Sequence, residues 1–184
     1  MKIYVKKRPS DYITYTLVIV VGIILDQITK WLAVANLKEI DTLPLIKEVL
    51  HLTYVENRGA AFGMMADQRW IFIIVSSIAI IGFSAYLYLG HADGPLYGVG
   101  MSLVISGGIG NMIDRLALGY VVDFIDCRFV KYPVFHGGNT LWRTFPVFNG
   151  ADSFVCVGAG IIILAVILEM RGEIKRKKND NTGK

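Results

Sequence analysis

Four apolar stretches set this chain apart from an ordinary domain in water. Trp70 to Gly90, WIFIIVSSIAIIGFSAYLYLG, contains no charged residue. A helix needs roughly 20 apolar residues to cross a bilayer core, so this run alone is long enough. Pro95 to Ile113 is a second uncharged run. A third begins at Ile13 and continues through Asp26 and Lys30 to Ala35. The last, Phe154 to Leu168, is short alone and reaches spanning length with help from residues before Asp152. A hydrophobic content of 54% and a mean hydropathy of +0.51 exclude an average soluble composition. The predicted fold is an α-helical integral membrane protein with four transmembrane helices, about 13–35, 70–90, 95–116 and 153–170. They form a single membrane domain, 1–184, with a small extracytoplasmic β-containing loop region.

The positions of the basic residues orient that bundle. Lys2, Lys6, Lys7 and Arg8 stand at one end of the chain, and Arg171, Lys175, Arg176, Lys177 and Lys178 near the other. The positive-inside rule then predicts that both termini are cytoplasmic, which requires an even number of spans. The clusters read as topological anchors, and no nucleic-acid partner is expected. A basic start before an apolar run also fits a signal peptide, but DQITKW follows where a small-residue cleavage site would stand. The outer loops are then 36–69 and 119–152, and the basic tail 171–184 reads as a solvated, frayed end. Two cysteines, Cys127 and Cys156, do not make a disulfide framework.

With this topology the polar residues converge. VLHLTYV, Val49 to Val55, alternates like a short strand on the membrane surface. Asn57 and Arg58 follow it; Asp114 and Arg115 end the third helix; Asp123 and Asp126 lie just beyond; Asp152 opens the fourth. All belong to one outer layer. Carboxylates near hydrocarbon are costly, by about 2.5–3.5 kcal/mol at a helix centre. Two neighbouring acids share a proton, so the ionised one can activate water while the protonated one donates. Asp123 and Asp152 suit this chemistry, and spacing alone leaves Asp114 and Asp126 open as members of the pair. Each acid also has a bland role: Asp152 before an apolar helix reads as an N-cap. Asp114 with Arg115 reads as an interface anchor. Asp26 and Lys30, at i and i+4, read first as a structural ion pair and second as a brace for the site. Gly107, Gly108 and Gly110 read as helix-packing positions. There is no His-Glu-x-x-His helix, no cysteine cluster and no nucleophile elbow, so no metal, cofactor or nucleophilic serine is expected.

Four blocks then occur in order: DQITK (Asp26–Lys30), ENRGAAFG (Glu56–Gly63), GGIGNMIDRLALGYVVDFID (Gly107–Asp126) and FNGADS (Phe148–Ser153). Together they resemble the lipoprotein signal peptidase (signal peptidase II) family, the prolipoprotein aspartic endopeptidases. The resemblance implies an enzyme of the bacterial inner membrane, multi-pass, with its active site near the outer face. It implies cleavage of a prolipoprotein signal peptide before a diacylglyceryl-modified cysteine, with Asp123 and Asp152 as the catalytic dyad. By the same resemblance Asn57, Asn111, Arg115 and Asn149 line the site. Asp26, Lys30, Gly59, Gly107 and Ala151 match supporting positions, and Asp126 matches no catalytic one. The implied partners are lipidated prolipoproteins and membrane lipids, and a monomer is expected. The segment CRFVKYPVFHGGNTLWRTFPVF between the two acids is longer than the family pattern, and we expect it to extend the outer lid. The competing readings are a proton-coupled transporter, a presenilin-type protease and a membrane scaffold. Four helices without an inverted repeat speak against the first. Asn111 where that protease signature carries an acid speaks against the second.

Overall fold

The computed structural model describes residues 9–59, 69–89, 94–129, 131–136 and 139–182. The basic N-terminal cluster, His91 and residues 60–63 of the second motif block lie outside them. Four long helices carry the fold: α1 (Pro9–Leu37), α2 (Arg69–Tyr88), α3 (Pro95–Ala117) and α4 (Gly150–Thr182). Each contains a window apolar enough to cross a membrane, with mean hydropathies of 2.0, 2.2, 1.4 and 2.4. α3 begins with Pro95, whose fixed φ and missing N–H suit a first helical turn. α4 does not end with its apolar run, as the frayed-tail reading expected, but continues helical to Thr182. Glu173 and Lys175–Lys178 are good helix formers and extend the turn already nucleated upstream.

α3 is the central helix and packs on each of the other three. It is the least apolar of the four and the most enclosed, with 44% of its spanning window buried against 6–22% for the others. Without a hydrophobic force between helices in lipid, close approach depends on small residues. Gly107 lets the carbonyl of Ala151 on α4 come against its Cα, where a side chain would collide. A Cβ at Gly110 would stand 2.5 Å from Asp26 Oδ2. The glycines expected to pack helices therefore also bring α1 and α4 onto α3 where the polar residues lie.

The small sheet sits at that same end of the bundle. β1 (Thr42–Ile46), β2 (Leu50–Asn57) and β3 (Val121–Cys127) run antiparallel in the order β1-β2-β3. β2 contains the alternating segment read as a strand and pairs Val55 with Asp123 and Asn57 with Val121. Leu52, Tyr54 and Phe124 pack with Val122 on Ala33 and Leu37, seating the sheet on the end of α1. The long segment after β3 forms its own hairpin, β4 (Lys131–His136) and β5 (Asn139–Thr144). Its register pairs His136 with Asn139. Phe148 then returns to the first sheet, exchanging backbone hydrogen bonds with Ile125 at 2.7 and 3.1 Å.

Candidate active site

The start of α4 fixes the first carboxylate. Asn149 caps the helix: its Oδ1 accepts from the backbone N–H of Asp152 at 3.0 Å, and Asp152 Oδ2 accepts from the backbone N–H of Asn149 at 3.2 Å. This reciprocal arrangement is a capping box, with aspartate in the place usually held by Glu or Gln. Asp152 is therefore not the N-cap that its position suggested; it is the third helical residue. Its other oxygen accepts from Asn111 Nδ2 at 2.7 Å, and the side chain is only half-buried.

Asp123 comes from the middle of β3 and is 2% exposed. Its Oδ2 accepts from Asn57 Nδ2 at 2.9 Å and its Oδ1 from Asn149 Nδ2 at 2.7 Å. Gly59 N–H donates to Asn57 Oδ1 at 3.0 Å, which turns the Asn57 amide so that its NH2 faces Asp123. Burial pushes the Asp123 carboxyl up to about 7; the Asn57 hydrogen bond opposes this, and the charge of Asp152 adds to it. Asn149 thus touches both acids, one through its side-chain amide and one through its backbone.

Beneath them lies a fully paired ionic cluster. Lys30 Nζ donates to Asp26 Oδ2 at 2.9 Å, Asp114 Oδ2 at 3.0 Å and Asn111 Oδ1 at 2.9 Å, which uses all three ammonium protons. Asp26 Oδ1 accepts from the N–H of Ala151 at 2.8 Å, one of the open donors of the first turn of α4. Asp114 Oδ2 accepts from the N–H of Val122 at 3.1 Å, immediately before Asp123. The ion pair read from the i, i+4 spacing is real, and it is also a brace: one acid holds the helix that carries Asp152, the other the strand that carries Asp123.

The site residues that the resemblance implied fall in or beside this cluster: Asp26, Lys30, Asn57, Gly59, Asn111, Arg115, Asp123, Asn149, Ala151 and Asp152. Arg115 Nη1 donates to the Asn111 carbonyl at 3.2 Å, and its guanidinium lies 5.2 Å from the centre of the Phe72 ring. Its charge acts on Asp152, Asp123 and Asp114. Two expectations are corrected. Asp114 is no interface anchor; it is 4% exposed and held by Lys30, Gln27 and Val122. Asp126, left open by spacing, accepts from Thr53 at 2.9 Å and Arg128 at 2.8 Å and belongs to the sheet's own polar contacts. Gln27 was missed. Its amide donates to Asp26, Asp114 and the Gly110 carbonyl, a role that nothing in the local sequence signals.

Four apolar helices with two carboxylates joined by asparagines at one end define a membrane protein with a polar site at the edge of its bundle. The chain belongs to the signal peptidase (SPase) II family, whose model matches residues 18–168. It is 40% identical to the lipoprotein signal peptidase of Halalkalibacterium halodurans, over 91% of this chain and 98% of that protein. It is 44% identical to the lipoprotein signal peptidase of Clostridioides difficile, over 83% and 94%. A solved structure described as a bacterial membrane enzyme, determined in meso at 2.3 Å, superposes with a TM-score of 0.69 at 32% identity. The match covers 85% of this chain and 89% of that one. The chain is accordingly a bacterial membrane protein.

Proposed function

We propose that this protein is an aspartic endopeptidase that removes the signal peptide of prolipoproteins on the N-terminal side of a diacylglyceryl-modified cysteine. The observation that carries the reading is the double grip of Asn149, which holds Asp123 and Asp152 in one site although they come from different elements. Family membership supplies the substrate class, and the carboxylate pair supplies the chemistry. Asp152, half-buried, is the acid that water reaches; it acts as the base and takes a proton from that water. Asp123, buried and raised to about 7, holds a proton and gives it to the oxygen of the scissile carbonyl. The tetrahedral intermediate then breaks its C–N bond, the departing nitrogen takes the proton now on Asp152, and Asp123 recovers its own. Asn57 and Arg115 stand where they can hold the substrate backbone. The site faces the outer leaflet and both termini face the cytoplasm, so the lipid tails of the substrate stay among the bilayer chains during the cut.

The test is a gel-shift assay with purified protein and a diacylglyceryl-modified prolipoprotein. The modified precursor is shortened and the unmodified one is a poor substrate. Failure to shorten the lipidated form in an otherwise folded preparation would overturn the assignment.

The same roles set a pH dependence. Below about 7 Asp123 is protonated and can donate; above it Asp123 is charged and the donor is lost. Activity therefore declines on the alkaline side, about tenfold per pH unit once Asp123 is ionised. The Asn57 amide favours the charged form of Asp123, so Asn57→Leu moves this limb to higher pH. A kcat/KM profile that stays flat through neutral and alkaline pH would contradict the donor role.

A further inference from the structure

The first sheet carries more apolar surface than its seat on α1 uses. Leu52 of β2 packs on the α1 end, and the ladder pairs it with Leu43 of β1. Ladder partners share a face, as do residues two apart, so Leu43 and Leu50 lie on the side that meets α1. The partner of Leu50 is Ile46. Leu43 is 42% exposed and Ile46 55% exposed, and Ile40, Leu45 and Val49 beside them are exposed as well. The patch extends across the sheet end, where Arg128 N–H donates to the Val49 carbonyl at 3.0 Å and the next residue, Phe129, is exposed. In a segment surrounded by water this many large apolar side chains on one small sheet would be a liability.

Two features say what covers it. First, the patch follows directly on α1 in the chain, and the outer half of that spanning helix exposes Ile24, Leu25, Ile28, Trp31 and Leu32. Second, Trp31 marks a depth: exposed tryptophans on spanning helices gather at the headgroup level. By helix rise Leu37 is only about 9 Å further along the axis, and β1 begins a few residues later. The sheet therefore leaves the helix within the interfacial layer, not above it.

We infer that the β1 edge of the sheet, through Leu43, Leu45, Ile46 and Val49, rests in the boundary between phospholipid headgroups and acyl chains, as an interfacial foot beside α1. Its partner is the lipid surface of the leaflet on the sheet's side. Lys47, in the turn between β1 and β2, lies at the foot's rim and reaches the headgroups. Because β2 and β3 carry Asn57 and Asp123, the foot fixes the height of the site relative to the bilayer. A substrate whose acyl chains stay in the membrane then meets the site at a set depth. This consequence rests on the proposed activity; the foot itself does not.

Site-directed spin labelling tests it without any activity. In the full chain carrying Cys127→Ser and Cys156→Ser, single cysteines replace Leu43, Ile46, Lys47 or Trp31 in turn. The labelled proteins are placed in nanodiscs of phosphatidylethanolamine and phosphatidylglycerol. Collision with oxygen, which concentrates in lipid, is compared with collision with a water-soluble nickel chelate. The expected oxygen-to-nickel ratio at Leu43 and Ile46 is several-fold above that at Lys47 and close to that at Trp31. Ratios at Leu43 and Ile46 equal to that at Lys47 would place the edge in water and overturn the inference. Dipolar broadening between labels on separate molecules would overturn it equally, by showing a second copy of the chain on the patch.

Discussion

Asp123→Asn and Asp152→Asn each leave a folded protein that does not shorten a lipidated prolipoprotein, with the rate down by about 10³-fold or more. General acid–base catalysis at each of two positions is worth roughly 10²–10⁴-fold, and neither half works without the other. The substitutions are nearly isosteric, yet they are not silent in the structure. Both oxygens of Asp123 accept hydrogen bonds, from Asn57 and Asn149, so an amide at this position turns an NH2 toward a donor. Asn57 cannot simply rotate to accept, because its own oxygen takes the Gly59 N–H. Asp123→Asn therefore costs about 1–3 kcal/mol of stability, the usual result of leaving one buried polar group unpaired. Asp152→Asn places an amide against Asn111 or against the Asn149 N–H and is softened by its half-exposed setting. Processing and thermal unfolding measured on the same preparations separate the two effects. Cleavage at the wild-type rate in either variant would remove the dyad mechanism.

Much of this site was legible because its determinants are short-range. The i, i+4 spacing of Asp26 and Lys30 states their meeting on one helix face, and the alternation around Thr53 states a strand. The glycines of GGIGN announce close packing, and two of them do bring Ala151 and Asp26 against α3. What the sequence did not state was which long-range partner each group would take. Asp114 looked like an anchor beside Arg115 because nothing nearby says that Val122 N–H and Lys30 will meet it. One local signal does carry such information. Asn149 and Asp152, three apart before an apolar run, have the spacing of a capping box, which makes the asparagine the cap and frees one oxygen of the aspartate. The Gly-Gly pair between alternating segments is a second such signal, and it announces the hairpin.

Lys30→Met has the largest expected effect on stability, and the reason is arithmetic within the buried cluster. Asp26, Lys30 and Asp114 together carry one net negative charge, and all three are nearly inaccessible to solvent. Removing the ammonium leaves two carboxylates facing each other across the space it filled, and strands Asn111 Oδ1 with one donor fewer. Breaking a buried pair from one side costs about 3–5 kcal/mol, since the surviving charge has neither water nor partner. For a chain of this size that lowers the unfolding midpoint by about 10 °C. The damage reaches the site as well, because the freed carboxylates no longer hold the Ala151 and Val122 N–H groups in place. If charge is the cause, adding Asp26→Asn to Lys30→Met restores the net charge of the cluster and recovers part of the lost stability. Activity recovers less, since an amide at 26 faces the Gln27 donor. Thermal unfolding in micelles reads the first effect and the gel shift the second. A Lys30→Met protein that melts with the wild type would mean that something other than Lys30 neutralises these acids, and the brace would lose its physical basis.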